Sequence, residues 1–290
     1  MQQSENIKGA IYMCLSMAGF VLNDAVIKYA SADIGMYQSI FVRGCFAVII
    51  IGIACIYNGA FKIIPNRLDH KLIIWRTLAE IFATITFLTA LFYLPIANIT
   101  ALLQALPLTV TLAASWFLGE KIGWRRGVAI LIGFIGVLLI IQPGTDEFNV
   151  YSILGIFCVI FVTIRDLVVR KFSAKISTLY VAFITATAIA FVGGFLTFAY
   201  EGWIPMKLNE VILLFIASTL IFVGYFFAIS AMRSGQVSFV SPFRYTIMIW
   251  AIILGYLIWG DIPNNLTLLG ISIVIGMGIF TFWREAQLKN

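Results

Sequence analysis

Charge is scarce in this chain and histidine is almost missing. Of 290 residues, 19 are Lys or Arg, 13 are Asp or Glu, and His70 stands alone, most simply as a solvated loop residue. Charged residues make up 11% of the chain, against about a quarter in a soluble domain. A single histidine cannot supply the pair of an H-E-x-x-H zinc helix, and no G-x-x-x-x-G-K-[ST] loop is present to cradle a nucleotide. No G-x-S-x-G turn holds a serine nucleophile, and no close acid pair lies within an apolar run. The chain is therefore read as a non-enzyme without cofactor or metal. The four cysteines, Cys14, Cys45, Cys55 and Cys158, fall inside apolar runs without metal-ligand spacing and read as small packing residues.

What is abundant is apolar. Hydrophobic residues reach 62% and mean hydropathy is +1.03. An aqueous globule of this size cannot hide so much apolar surface, so lipid is the expected solvent. The residues before the first apolar run are too few and too poor in basic groups for a cleavable signal, and that run reads as a retained helix. A span needs roughly 20 apolar residues. On that rule ten helices are expected, an all-α integral membrane fold. Helices 1 to 5 lie at about 7–29, 36–57, 72–94, 97–118 and 125–142, and helices 6 to 10 at about 151–170, 178–200, 209–232, 236–258 and 266–283. Connections as short as Pro95-Ile96 and Ser234-Gly235 make consecutive helices antiparallel neighbours. Pro143-Gly144-Thr145-Asp146-Glu147 is the clearest loop and falls at the midpoint.

The basic residues divide unevenly over that zigzag. One face collects Lys8, Lys62, Arg67, Lys71, Lys121, Arg125, Arg126, Arg170, Lys171, Lys175, Arg233, Arg284 and Lys289. The other has Lys28 and Lys207, and Arg43, Arg76, Arg165 and Arg244 lie within spans. The positive-inside rule puts the rich face and both termini in the cytoplasm, which suits a multi-pass protein of the cell inner membrane. Spread over six short segments, the charge excess of +6 is a topology signal and argues against a nucleic-acid partner. Trp75, Trp124, Trp203, Trp259 and Trp283 fall near the expected interfaces, where aromatic belts sit.

One pattern occurs twice. Asn23-Asp24-Ala25-Val26-Ile27-Lys28 recurs in outline 142 positions later as Arg165-Asp166-Leu167-Val168-Val169-Arg170, each copy followed three residues on by a serine, Ser31 or Ser173. Ala90 and Ala231, and Gly119 and Gly260, repeat at 141; Gly127 and Gly133 match Gly270 and Gly276 at 143. One alignment thus divides the chain into residues 1–145 and 146–290. Five helices per half is an odd number, so the second half must be inverted relative to the first, as in many secondary transporters.

The stretch from Leu94-Pro95-Ile96-Ala97 through Leu118-Gly119-Glu120-Lys121 to Gly133-Phe134-Ile135-Gly136-Val137 and Pro143-Gly144 resembles the drug/metabolite transporter superfamily. The likeness is to its ten-helix EamA type with two tandem repeats, and Ser241-Pro242-Phe243-Arg244-Tyr245 through Trp259-Gly260-Asp261 is similar to the corresponding helix of the second repeat. Asp261 departs from the glutamate usual there, and Arg233-Ser234-Gly235-Gln236 replaces an apolar approach. The resemblance covers the whole chain and implies a basket of ten helices. Helices 1–4 and 6–9 would surround a central cavity, with helices 5 and 10 peripheral. It implies a carrier of small organic metabolites without ATPase activity.

Ionisable groups in hydrocarbon are costly and mark candidate sites. Arg43 in helix 2, Glu80 in helix 3 and Arg244 in helix 9 are the central candidates for substrate binding. Each has a structural alternative: the arginines bonded to helix carbonyls or to Glu80, and Glu80 paired with Arg76 four residues earlier. Thr100, Gln104, Thr111 and Ser115 fall on one face of helix 4, and Ser238, Ser241 and Tyr245 on one face of helix 9. The two stripes are expected to meet at the midplane, with Gln104, Thr111, Ser241 and Tyr245 lining the site. Pro107 and Pro242 kink the same helices, and Phe87, Tyr225 and Tyr245 offer rings for stacking.

Two arginines against one glutamate leave a positive excess, which points to a zwitterionic or anionic substrate. Amino acids, carboxylated metabolites and cofactor-like compounds fit, with Glu80 a candidate for proton or ion coupling. Asp24 with Lys28, and Asp166 with Arg170, are acid-first i, i+4 pairs that read as self-satisfied caps or as gates at opposite ends of the bundle. Small residues along helices 5 and 10 suit close contact within the bundle or between protomers, consistent with a monomer or a homodimer.

Overall fold

The computed structural model describes residues 2–30, 33–62, 65–119, 123–145, 148–169, 171–173, 176–234 and 237–289. Among these residues all regular elements are helices, without a strand. Helix 1 is Gln2–Ala30, helix 2 Met36–Tyr57 and helix 3 Arg67–Tyr93. Helix 4 comes in two pieces, Ile96–Leu103 and Leu106–Leu118, and helix 5 is Trp124–Ile141. Helix 6 is Tyr151–Val169, helix 7 Thr178–Leu196 with a π-turn over Thr197–Glu201, and helix 8 Leu208–Ser234. Helix 9 is assembled from Val237–Val240, a 3₁₀ segment Ser241–Thr246, Ile247–Leu254 and a π-turn Gly255–Trp259. Helix 10 is Asn265–Lys289. Nine helices of the described chain are long and apolar enough to cross a bilayer, and the apolar part of the tenth, Asn265–Thr281, is shorter.

The ends of these helices follow local chemistry. Asn66 accepts from the Asp69 amide at 2.8 Å and starts helix 3, while Pro95 stops it after the Leu94 cap. Gly119 and Gly260 close helices 4 and 9 with φ of 71° and 73°, a left-handed turn that costs glycine little. The break in helix 4 traces to Pro107, whose nitrogen cannot donate to the carbonyl four residues back. The chain tightens there: the Gln104 amide bonds to Ala101 at 3.1 Å, and the Gln104 side chain donates to the Thr100 carbonyl at 3.0 Å in its place.

Helices pack in pairs across the two halves. Helix 1 lies on helix 8, helix 2 on helix 7, helix 3 on helix 6, helix 5 on helix 10, and the first piece of helix 4 on helix 9. The contacts recur at the offset found in the sequence. Ser218 on helix 8 donates to the Arg43 carbonyl on helix 2 at 2.9 Å, and Arg76 on helix 3 donates to Thr185 on helix 7 at 2.6 Å. Arg76 and Ser218 are 142 positions apart, as are Arg43 and Thr185. The crossings differ in spacing, however. A Cβ on Gly19 would stand 3.2 Å from the Gly224 Cα, so helices 1 and 8 nearly touch. At the matching positions of helices 3 and 6, Phe82 and Phe161 stack with centroids 5.2 Å apart. The small residues of helices 5 and 10 serve contact inside the bundle: a Cβ on Gly270 would meet the Gly136 carbonyl oxygen at 2.6 Å.

Candidate functional site

Six charged side chains gather from helices 1, 2, 3 and 6. Arg165 Nη1 lies 3.1 Å from each Glu80 oxygen, while its Nε donates to Asp166 at 2.9 Å. Arg76, one turn before Glu80, stands 3.7 Å from the same carboxylate. On the neighbouring helices, Arg43 donates to the Asn23 side-chain oxygen at 3.2 Å, and the Asn23 amide donates to Asp24 at 2.9 Å. Asn23 thus bridges Asp24 and Arg43. Burying charge in a bundle is tolerable when the groups are paired or hydrogen-bonded, and each of the six carries at least one such contact.

Tyr225 on helix 8 joins the two sets. Arg43, Arg76, Glu80 and Arg165 all act electrostatically on its hydroxyl. The residue is 53% exposed. Phe20 meets its ring edge-on at 5.1 Å. The arrangement offers guanidinium donors for a carboxylate, carboxylates for a cation, and an aromatic face. Two recesses lie elsewhere. One of about 280 Å³ lies beside Pro242, Tyr245 and Ile275, and a crevice of about 10 Å³ lies beside Tyr37, Ile81 and Ile189. Among the described residues neither is lined by a charged group.

The structure thus joins Arg43 and Glu80 in one region, each with a partner the sequence reading did not give it. It also changes the charge balance. Arg43, Arg76 and Arg165 face Asp24, Glu80 and Asp166, so the positive excess expected from two arginines and one glutamate is absent from the cluster. Arg165 and Asn23 were not expected as site residues; the signal for them was the repeated motif itself, which marks the same two positions in both halves.

The remaining candidates are placed otherwise. The intrahelical pair expected of Asp24 and Lys28 does not form: Asp24 turns to Asn23 and Arg43, and Lys28 donates to the Leu91 and Leu94 carbonyls. Asp166 pairs with its neighbour Arg165, and Arg170 lies outside the described residues. The helix 9 stripe is broken because Ser241–Thr246 is a 3₁₀ segment. Residues four apart lie on adjacent faces when a turn holds three, so Ser241 and Tyr245 do not share a stripe. Both are buried, and Tyr245 points at helix 10, where a Cβ on Gly278 would collide with its hydroxyl. Arg244 is exposed within its span. In helix 4, Gln104 is committed to Thr100, and Thr111 donates to the Pro107 carbonyl of its own helix at 2.7 Å.

A bundle of apolar helices paired across two halves, with a compensated charge cluster inside, defines a multi-span membrane carrier. The chain belongs to the EamA-like transporter family, whose model matches residues 7–142 and again 149–283. It is similar to the S-adenosylmethionine uptake transporter of Rickettsia conorii, 26% identical over 284 residues covering 98% of this chain and 95% of that one. It is 28% identical over 291 residues to the riboflavin transporter of Vibrio cholerae, covering 98% and 96%. The pseudopaline exporter of Pseudomonas aeruginosa is 23% identical over 268 residues, covering 92% and 93%. A crystal structure with 12% sequence identity superposes with a TM-score of 0.67 over 100% of both chains, a likeness of fold. The protein is a membrane transporter of small molecules and not an enzyme.

Proposed function

We propose that the protein is a secondary carrier that moves a small polar organic metabolite, zwitterionic or anionic, across the inner membrane by alternating access. Residues 1–145 and 146–290 form the two inverted five-helix repeats, with both termini cytoplasmic. The cluster of three arginines and three carboxylates around Tyr225 is the observation that carries this reading. Because those charges balance, a cargo bearing both an anionic and a cationic group fits better than a bare anion. The carboxylate of the cargo would take the Arg43 and Arg165 side, its cation the Asp24 or Asp166 side, and a ring would lie against Tyr225. Relatives named for S-adenosylmethionine and riboflavin are in keeping with a cofactor-like cargo. Proton coupling is assigned to Glu80, and retention of pH-driven accumulation by Glu80→Gln would remove that assignment.

The first experiment is a thermal-shift screen of the purified protein against S-adenosylmethionine, riboflavin, amino acids and carboxylates. A ligand that binds the folded state alone raises apparent stability by about 2.7 kcal/mol at a hundred times its Kd. The stabilising compound is then tested for saturable counterflow in proteoliposomes, and imposed gradients in the two directions separate uptake from export. Stabilisation only by permanent cations that lack an anionic group would overturn the charge reading.

A further inference from the structure

Lys28 occupies a position that the local backbone leaves open. In an α-helix the Leu91 carbonyl would accept from residue 95, but Pro95 has no N–H to give. The Lys28 ammonium donates to that carbonyl at 2.7 Å and also to the Leu94 carbonyl. A cation is well placed at this C-terminal end of helix 3. The same ammonium stands 5.5 Å from the centroid of the Trp259 ring at the end of helix 9, with Asp261 as a charge partner. One side chain therefore joins the ends of helices 1, 3 and 9. Around it Ile27, Leu91, Leu94, Ile96, Ile99 and Ala251 are none of them more than 2% exposed. Among the described positions 142 away, at the face that carries the chain termini, Ser241 opposite Ile99 is equally buried, whereas Val169 opposite Ile27 is 42% exposed. Leu102 is 2% exposed but its counterpart Arg244 is exposed, and Trp259 is half-buried while its counterpart Phe117 is 72% exposed.

We propose that Lys28 is the latch that holds the bundle shut at the face away from the chain termini, and that its release opens the charge cluster to that face. This rests on the alternating-access reading above. The test uses the full chain in right-side-out vesicles, with the four native cysteines replaced and a single reporter introduced by Ala251→Cys. Labelling by a membrane-impermeant maleimide is slow while the latch is closed. Adding Lys28→Met is expected to speed it by about tenfold, the factor equivalent to about 1.4 kcal/mol. A parallel chain that keeps only Cys55, fully buried near the other end of the bundle, should not respond. Should Lys28→Met not purify as a monodisperse species, Trp259→Leu removes the other half of the latch and is expected to act in the same direction. Equal rates with and without the latch, or equal acceleration at Cys55, would overturn the proposal. The labelling needs no cargo, so a failure of counterflow would count against the carrier reading without altering this result.

Discussion

Arg165 reaches from helix 6 to set one guanidinium nitrogen 3.1 Å from each oxygen of Glu80 on helix 3. The two groups are 23% and 16% exposed, mostly shielded from water yet within reach of it. Removing either leaves the survivor with one partner in place of two, Arg76 at 3.7 Å for Glu80 or Asp166 at 2.8 Å for Arg165. A double-mutant cycle on Glu80→Gln and Arg165→Met should therefore be non-additive. Coupling of about 0.5–3 kcal/mol is expected for residues in one network, read from apparent melting temperatures in detergent. Additive losses would show that the pair is incidental.

Arg43 tests the other side of the site. Its planar guanidinium bonds to Asn23 while facing Asp24 and Tyr225. Arg43→Lys keeps the charge and loses the fork, and the two are not interchangeable where geometry matters. Ligand affinity for the compound found in the stability screen should fall by about tenfold, roughly the 1.4 kcal/mol of one charged hydrogen bond. An unchanged Kd by calorimetry would move the anion site away from Arg43.

Tyr245 gives a prediction of little effect. Its hydroxyl is buried and has no hydrogen-bond partner among the described residues. Removing an orphan polar atom relieves a desolvation cost of about 1–3 kcal/mol. Tyr245→Phe is thus expected to leave counterflow within about twofold of the parent, about 0.4 kcal/mol, and to raise the melting temperature. A large loss of transport would restore Tyr245 to the site.

Gly19 should tolerate no side chain. Its Cβ would meet the Gly224 Cα and the Leu220 carbonyl oxygen, each at 3.2 Å, and both belong to a backbone that cannot turn aside. Gly19→Val is expected to destabilise by about 1–3 kcal/mol through overpacking. Gly276 has nothing within 4 Å of its added Cβ. Gly276→Ala should be neutral or stabilising by about 0.4–1 kcal/mol. Equal melting temperatures for the two variants would contradict the close crossing of helices 1 and 8.

The helices were legible because lipid makes one demand of every span, a long apolar run, and that demand is written locally. The break in helix 4 was legible as a kink at Pro107, whereas the 3₁₀ turn in helix 9 was not. Pro242 marks a disturbance there without fixing how many residues the next turn will hold. That difference separates Tyr245 from Ser241 and sets it against helix 10. Asp24 and Lys28 show a second limit. Their spacing fits an ion pair, but Pro95 on another helix leaves a carbonyl that attracts the lysine, and Arg43 attracts the aspartate. Arg165 shows a third. Near the end of its helix by sequence, it reaches Glu80 because an arginine side chain is long and its guanidinium can lie far from its Cα.

The matched positions of the two repeats are seldom the same residue. Asn23 stands opposite Arg165, Arg43 opposite Thr185, and Arg76 opposite Ser218. Had each repeat remained a separate half-length chain pairing with its own copy, both sides of the axis would carry one residue, and a lone arginine would always face another. The two sides of the charge cluster therefore differ in chemistry, which a site built from two identical copies could not do.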